Sequence, residues 1–389
     1  MDFTKVTNFM NALDELGVPG ADLAIYLKGK EVYRHHVGYA DIETKTPITR
    51  DTLYAIFSMT KVITCVAALR LFEEGRYLLT DPLHAYMPEF KDLTIRYYRE
   101  NGDFVKKPAV NPIRIVDLFT MSSGYPYFPP GAAISFEATE GNYTLQQMVT
   151  KLATEPINFE PGTRWCYGFS HDILGRLIEI LSGKTFGQFL SEQIFKPLGM
   201  SDTGFKISKE KHHRLASIYT YDESSKQNIR IMTGIPFSYF NAGSSLYLCD
   251  DWLLESPGGG LISSVDDYAK FANALCLGGT SENGYRLLGE ATIELMATNH
   301  LDDAKMKDFS GGSGKHGSYG YGLGVRTLID KVPHGLSSSY GEFGWSGLAG
   351  TYVAMDPIKE LTYVYAHQLH PNKENYIQPR LKNIIYGCL

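Results

Sequence analysis

The sequence predicts an α/β fold of the α+β kind, with a sheet built from both ends of the chain and a mostly helical middle. Apolar residues alternate with the period of strands near both ends of the 389-residue chain. Between these ends, apolar residues recur with a helical period. We therefore assign residues 1–57 and 311–389 to an α/β lobe and residues 58–310 to a helical lobe, within a single unit spanning 1–389. A site is expected where the lobes meet.

The N-terminal segment predicts a packed helix followed by a hairpin. Its apolar residues recur with helical spacing, and no basic stretch or unbroken apolar run marks it as a signal. Ala21–Leu27 and Glu31–Val37 predict two strands joined at Lys28-Gly29-Lys30, because glycine suits a tight turn.

The middle of the chain predicts capped helices. One helix opens at Phe57-Ser58-Met59-Thr60-Lys61 and runs to about Glu74, with Gly75 placed as a C′ glycine and Cys65 in its apolar stripe as a buried residue. Further helices are predicted after Asp81-Pro82, over Ile113–Thr120, after the capping boxes Thr144–Gln147 and Thr185–Gln188, before Gly183, and after Ser264.

Loops and strands complete the prediction. Tyr125–Asn142 and Tyr219–Pro257 are rich in aromatic and turn residues, which predicts irregular loops near a pocket. A hairpin is predicted around Asn101-Gly102. Beyond Gly311 the period changes, and short strands are predicted at Gly320–Val325, Thr351–Met355 and Leu361–His367.

Composition excludes several classes of function. The formal charge is −6 and no basic cluster occurs, which argues against a nucleic-acid partner. The five cysteines lack paired spacing, which argues against a disulfide framework and indicates a reducing, cytoplasmic location. No run of about 18 apolar residues predicts a membrane span. The sequence leaves the oligomeric state open.

Motifs for metals, nucleotides and one class of serine site are absent. There is no H-E-x-x-H, no zinc-type cysteine pair and no G-x-x-x-x-G-K-[ST], so we expect neither a metal nor a cofactor. Gly258-Gly259-Gly260 is interpreted as a tight turn. Gly344-Trp345-Ser346-Gly347 lacks the spacing of a G-x-S-x-G nucleophile elbow.

Ser58 and Lys61 are three residues apart, so a helix beginning at Ser58 brings both side chains to one face. An amine without its proton can then activate the serine hydroxyl, and the helix N-terminus offers N–H groups to an oxyanion. The pair alone is weak evidence, since chance supplies about one or two S-x-x-K matches in such a chain. Ser208 and Lys211 form a second match in a polar run. The alternative for Ser58 is a helix cap with a surface lysine.

The order of motifs along the chain is more specific than any one of them. The series is Ser58-Met59-Thr60-Lys61, Leu118-Phe119-Thr120-Met121-Ser122-Ser123-Gly124, Pro161-Gly162 ahead of Tyr167, Gly259-Gly260-Leu261-Ile262-Ser263-Ser264, Tyr321-Gly322-Leu323-Gly324 and Trp345-Ser346-Gly347. This order resembles the serine β-lactamase and DD-peptidase superfamily, in its class C-like branch, and is closest to the family VIII carboxylesterases. The resemblance covers about Gly20 to Pro357 and implies an antiparallel sheet flanked by helices.

The resemblance also implies roles for individual residues. Ser58 would be the nucleophile, Lys61 its base, and Tyr167 the tyrosine that moves a proton to or from the leaving group. Gly347 would lie on a strand at the edge of the site, where a glycine lets the substrate approach the backbone closely. The backbone N–H groups of Ser58 and Leu348 would form the oxyanion hole. The alternative for Tyr167 is a core tyrosine, one of 26.

Two departures from the class C β-lactamase pattern point to the substrate. Phe169 stands where those enzymes have an asparagine, and Trp345, followed by Ser346, stands where they have a lysine that could pair with a carboxylate. The loss of both polar groups favours neutral, apolar acyl groups. Tyr125–Phe128 and Phe237–Phe240 are candidate pocket walls on the basis of their aromatic content.

The sequence therefore predicts a serine carboxylesterase that acts on a small ester through an acyl-enzyme. The same site could serve a β-lactamase, a D-amino-acid peptidase or an acyltransferase. A different class of function is a non-catalytic sensor that becomes acylated without turnover.

Overall fold

An eight-stranded antiparallel sheet is the central element of the computed structural model, which describes residues 1–99, 103–127, 143–231, 252–311 and 317–389. Its strands are β1 (Gly20–Leu27), β2 (Lys30–Asp41), β3 (Thr46–Pro47), β10 (Tyr319–Tyr321), β11 (Arg326–Leu328), β12 (Phe343–Ser346), β13 (Tyr352–Asp356) and β14 (Leu361–His367). Their order across the sheet is β10-β11-β12-β13-β14-β1-β2-β3. The N-terminal strand β1 thus pairs with β14 near the C-terminus.

Within the described ranges, three two-stranded ladders lie outside this sheet. They pair β4 (Tyr54–Ala55) with β9 (Ile262–Ser263), β5 (Thr94–Tyr98) with β6 (Phe104–Pro108), and β7 (Tyr219–Asp222) with β8 (Gln227–Arg230). The β4–β9 ladder fixes the backbone just ahead of Ser58, because Tyr54 pairs with Ser263 and Ala55 with Ile262.

Eleven α-helices occur in the described ranges. They are α1 (Thr4–Asn11), α2 (Thr60–Glu73), α3 (Ile115–Phe119), α4 (Leu145–Ala153), α5 (Ser170–Ser182), α6 (Phe186–Leu190), α7 (Lys196–Leu198), α8 (Val265–Cys276), α9 (Glu290–Ala297), α10 (Asp303–Gly311) and α11 (Glu374–Tyr386). Short 3₁₀ turns precede or connect them, among them Phe57–Met59, Leu83–Ala85 and Lys209–Arg214. None of the helices in these ranges is long and apolar enough to cross a bilayer.

Helices cover both faces of the sheet. On one face, Leu23 and Ile25 of β1 pack in a cluster that includes residues of α1 and α11. On the other face, Ala24 joins the larger core, which contains α2, α5 and α8. Successive strand residues point to opposite faces, so two separate cores form on one sheet. The predicted α+β architecture, an antiparallel sheet flanked by helices, is confirmed.

Most predicted elements match the structure. The hairpin turn is confirmed: Lys28 and Gly29 both have positive φ, at 53° and 74°, as a two-residue type I′ turn requires. Thr144 and Thr185 cap their helices, and Gly183 ends α5 in the left-handed conformation.

Other elements differ from the prediction. Gly320–Val325 is not one strand, because the chain turns at Gly324, whose φ is 86°, and divides into β10 and β11. Tyr219–Pro257 was predicted to be irregular but contains the β7–β8 hairpin. The helix predicted after Asp81-Pro82 is a single 3₁₀ turn. Asn101-Gly102 and Phe237–Phe240 lie outside the described residues, although β5 and β6 flank the former as a hairpin requires.

Candidate active site

Ser58 lies at the start of α2, in the 3₁₀ turn Phe57–Met59. Phe57, the residue before it, has a φ of 44° although it is a bulky, buried side chain. Such a conformation is rare outside glycine, and strain of this kind concentrates at functional sites. The Tyr268 hydroxyl donates a hydrogen bond of 2.9 Å to the Met59 carbonyl and so holds the far side of the turn. Ser58 is therefore presented on a sharp, well-supported bend.

Lys61 is fully buried, and its amine is aimed at Ser58. The distance from Lys61 Nζ to Ser58 Oγ is 3.4 Å, longer than a good hydrogen bond, and catalytic contacts often shorten when substrate binds. Lys61 Nζ also donates to the Tyr127 hydroxyl at 2.8 Å and to the Gly258 carbonyl oxygen. Burial with these oxygen partners fixes the position of the amine beside the serine.

Two tyrosines contact Lys61 in different ways. The ring centroid of Tyr167 lies 4.7 Å from Lys61 Nζ, and that of Tyr127 lies 5.1 Å away. The Tyr127 oxygen accepts the hydrogen bond from Lys61, whereas the Tyr167 oxygen accepts one of 3.2 Å from Trp345 Nε1. The predicted tyrosine is thus beside the lysine, and a second tyrosine shares the site.

Aromatic rings surround this amine. Tyr167 stacks with both Trp165 and Trp345, whose ring centroids are 6.1 and 5.9 Å away. Tyr127 packs edge-on against Phe169 at 4.8 Å. Rings of this kind present apolar surface with a few polar tips, which suits a neutral organic substrate.

The third motif touches the backbone ahead of Ser58. A Cβ on Gly347 would lie 2.4 Å from the Ile56 carbonyl oxygen and 2.1 Å from Thr351 Oγ1, so only glycine fits. Leu348, the next residue, packs in one cluster with Ala55 and Phe57. The proposed oxyanion donors, on Ser58 and Leu348, thus come from two segments in direct contact.

Two side chains from the C-terminal part of the chain hold the same backbone. Thr351 Oγ1 donates to the Ile56 carbonyl oxygen at 3.1 Å, and Gln368 Nε2 donates to the Ala55 carbonyl oxygen at 3.2 Å. The residue before β13 and the residue after β14 therefore support the backbone that leads into Ser58.

Ser346 and Trp345 are tied to a buried ion pair. The Ser346 hydroxyl donates to Glu374 Oε2 at 2.9 Å, and the other Glu374 oxygen pairs with Arg326 at 3.1 Å. The Arg326 guanidinium lies 5.8 Å from the Trp345 ring centroid. Glu374 therefore links Ser346 at the end of β12 to Arg326, which is buried beside the tryptophan.

Three neighbouring groups act as core residues. Burial, with the charge of Lys61 adding to it, lowers the pKa of His171 to about 3, so its imidazole is neutral. Burial raises the pKa of the Cys65 thiol well above its usual value, which keeps it unreactive as predicted. Tyr125 is only 1% exposed and packs edge-on against Phe90, so its ring lies in the core, not at the amine.

The sequence did not identify two of the partners of Lys61. Tyr127 lay within a predicted pocket wall, but nothing distinguished it from its aromatic neighbours. Gly258 was interpreted as part of a tight turn. It contacts Lys61 through its backbone carbonyl oxygen, and a sequence motif does not reveal such a contact. Glu374, which receives the Ser346 hydroxyl, also had no signal in the sequence.

Comparison with known proteins identifies the family. The Beta-lactamase family model matches residues 6–385. Protein Rv1367c of Mycobacterium tuberculosis (strain ATCC 25618 / H37Rv) is 31% identical over 366 residues, which cover 91% of this chain and 86% of the relative. Esterase EstB of Burkholderia gladioli is 26% identical over 358 residues, which cover 88% of this chain and 84% of the relative.

A solved structure shares the fold. EstCE1, described as a hydrolase with promiscuous acyltransferase activity, superposes with a TM-score of 0.80 at 23% identity, covering 99% of this chain and 98% of that one. The match of the family model over nearly the whole chain, together with the S-x-x-K pair at the start of a buried helix, shows that the chain belongs to the Beta-lactamase family.

Proposed function

We propose that the protein is a serine carboxylesterase that hydrolyses small, neutral esters through an acyl-enzyme on Ser58. The observation that carries the proposal is the Ser58–Lys61 pair, in which a fully buried amine lies 3.4 Å from the serine oxygen. The similarity to EstB, named as an esterase, supports the same reaction.

In the proposed mechanism, Ser58 Oγ attacks the ester carbonyl carbon while Lys61 Nζ accepts the hydroxyl proton. The carbonyl oxygen becomes an oxyanion, which the N–H groups of Ser58 and Leu348 stabilise. The C–O bond to the alcohol then breaks, and the alcohol leaves with a proton delivered from Lys61 through Tyr167. Water attacks the acyl-enzyme by the reverse proton path, which releases the acid and restores Ser58.

The environment of the third motif supports an ester over a β-lactam. A β-lactam or a peptide C-terminus carries a carboxylate, and Trp345 offers it an indole in place of a cation. Arg326, whose guanidinium lies 5.8 Å from the Trp345 ring centroid, is buried and paired with Glu374. An unpaired carboxylate entering this site would lose hydration without gaining a charged partner.

An acyltransferase is the second candidate, because the chain shares its fold with EstCE1, which is described as having promiscuous acyltransferase activity. It would use the same acyl-enzyme and differ only in the final acceptor, an alcohol in place of water. The two functions are therefore separated by the product and not by the first step.

A substrate panel on the wild-type protein tests the proposal. We expect turnover of p-nitrophenyl esters with short to medium acyl chains. For a chromogenic cephalosporin we expect a kcat/KM at least about 100-fold lower than for these esters, because its carboxylate has no cation to pair with at Trp345. Adding an alcohol and measuring the new ester against free acid separates transfer from hydrolysis. Efficient cephalosporin turnover without ester turnover would reverse the ranking, and a stable acyl adduct without release would indicate a sensor.

The roles of the two tyrosines are separable by removing single hydroxyl groups. We expect Tyr167→Phe to lower kcat by about 10²-fold or more, as loss of a proton-transfer group does. Tyr127→Phe removes one hydrogen bond to Lys61 and is expected to lower kcat by roughly 10-fold. Steady-state rates with p-nitrophenyl butyrate measure both. A larger loss of kcat in Tyr127→Phe than in Tyr167→Phe would assign the proton transfer to Tyr127 instead.

A further inference from the structure

The segment from Ser256 to Leu261 runs along the face of α2 that carries the candidate base. The Gly258 carbonyl oxygen accepts from Lys61 Nζ, and the Pro257 carbonyl oxygen accepts from Thr64 Oγ1 at 2.8 Å. The Leu261 N–H donates to Thr60 Oγ1 at 3.1 Å. Three polar groups on one side of α2 are therefore held by one short segment of backbone.

Helix α5 holds that segment from its other side. Asp172 Oδ1 accepts a hydrogen bond of 3.0 Å from the Gly258 N–H and one of 3.2 Å from the Ser256 hydroxyl. Asp172 is fully buried and is the third residue of α5, where the helix dipole favours a carboxylate. One carboxylate thus fixes both ends of the Ser256-Pro257-Gly258 turn.

The same face of α5 also fits the turn closely in shape. One turn after Asp172, a Cβ on Gly175 would lie 2.1 Å from Pro257 Cγ. A Cβ on Gly258 would lie 2.6 Å from Asp172 Oδ2 and 2.7 Å from the Tyr127 oxygen. The turn therefore has no room to shift between α5 and the tyrosine.

We propose that Asp172 is a positioning residue for acyl transfer, because it fixes Gly258 and thereby aims the Gly258 carbonyl oxygen at Lys61. The inference rests on the proposed function, in which Lys61 is the base for Ser58. Without Asp172 the turn relaxes, and the Lys61 amine loses its alignment with the serine oxygen. A misplacement of about 1 Å at such a group can cost roughly 10²-fold in rate.

Asp172→Ala and Asp172→Asn test the proposal when kcat and KM for p-nitrophenyl butyrate are measured separately. We expect kcat of Asp172→Ala to fall about 10²-fold while KM changes little, because the misplacement affects the reacting groups and not the pocket. Asp172→Asn keeps an acceptor oxygen and is expected to recover at least a tenth of the wild-type kcat. Unchanged kcat in folded Asp172→Ala would overturn the proposal.

Asp267→Ala is the matched control. Asp267 is also a buried carboxylate at the third position of a helix, α8, and accepts from the Asp202 N–H at 2.6 Å and the Thr203 hydroxyl at 3.2 Å. Neither of these hydrogen bonds involves the Ser256-Pro257-Gly258 turn. We expect it to lower the midpoint of urea unfolding as Asp172→Ala does, with kcat unchanged.

Gly175→Ala is a second way to displace the same turn, and it removes no polar group. Its new methyl presses on Pro257 and should lower kcat with KM nearly unchanged. If Asp172→Ala does not fold, Asp172→Asn and Gly175→Ala decide the matter, and wild-type kcat in both overturns the inference. Failure of the proposed function is distinguishable, because it would appear in the wild type, as absent ester turnover, or as turnover that survives Ser58→Ala.

Discussion

Ser58→Ala is expected to lower kcat/KM for p-nitrophenyl butyrate by roughly 10⁴-fold or more, as removal of a nucleophile does in other serine hydrolases. The substitution deletes the serine oxygen that lies 3.4 Å from the Lys61 amine. Lys61→Ala is expected to cause a loss of similar size. Because the two residues act as a unit, the double variant should be no slower than either single one.

The second S-x-x-K match in this chain is the control. Lys211 donates to Asp202 at 2.7 Å and to the Ser201 carbonyl oxygen at 2.9 Å, and Ser208 is exposed. Ser208→Ala should therefore keep the wild-type rate. Ester turnover that persists in Ser58→Ala and disappears in Ser208→Ala would contradict the assignment of the nucleophile.

Gly347→Ala is expected to lower kcat by about 10²- to 10³-fold, the loss seen when one oxyanion donor is removed. The new methyl would press against the Ile56 carbonyl oxygen and Thr351 Oγ1, both at less than 2.5 Å. Neither atom can move away easily, because the two are hydrogen-bonded to each other. The turn carrying Leu348 must then move away from Ser58.

Comparing kcat with KM and with the urea midpoint separates this effect from general destabilisation. Gly311→Ala serves as a control, because a Cβ there meets no atom of the described residues within 4 Å. We expect it to leave kcat unchanged. A Gly347→Ala variant that is less stable but keeps its full kcat would show that Leu348 does not help to bind the oxyanion.

The fold was predictable where one physical signal dominated. Strand β14 was predicted with its observed bounds, Leu361–His367, and the Lys28-Gly29 turn follows from the conformational freedom of glycine. The division of Gly320–Val325 was not predictable in this way, because every residue of both short strands is buried and alternation gives no sign of the turn at Gly324.

In the candidate site, only the residues that belong to a sequence motif could be predicted. Ser58, Lys61, Tyr167 and Trp345 come together in the structure. Spacing could not tell Ser58–Lys61 from Ser208–Lys211, whereas burial and partners do: Lys61 is enclosed and Lys211 is paired with a carboxylate. Gly258 and Asp172 act through the backbone of a turn, a relation that depends on the tertiary packing of α5 against α2.

The contacts of Thr351 and Gln368 with the backbone at Ala55 and Ile56 have a consequence for the timing of synthesis. Residue 58 leaves the ribosome early, but the segments that complete its surroundings follow only after residue 368 has been made. At roughly 5–20 residues per second, that delay is about 15–60 s. Throughout this interval the growing chain carries Ser58 without the C-terminal residues that hold the backbone ahead of it, so the proposed acylation must wait until the two ends of the protein have met.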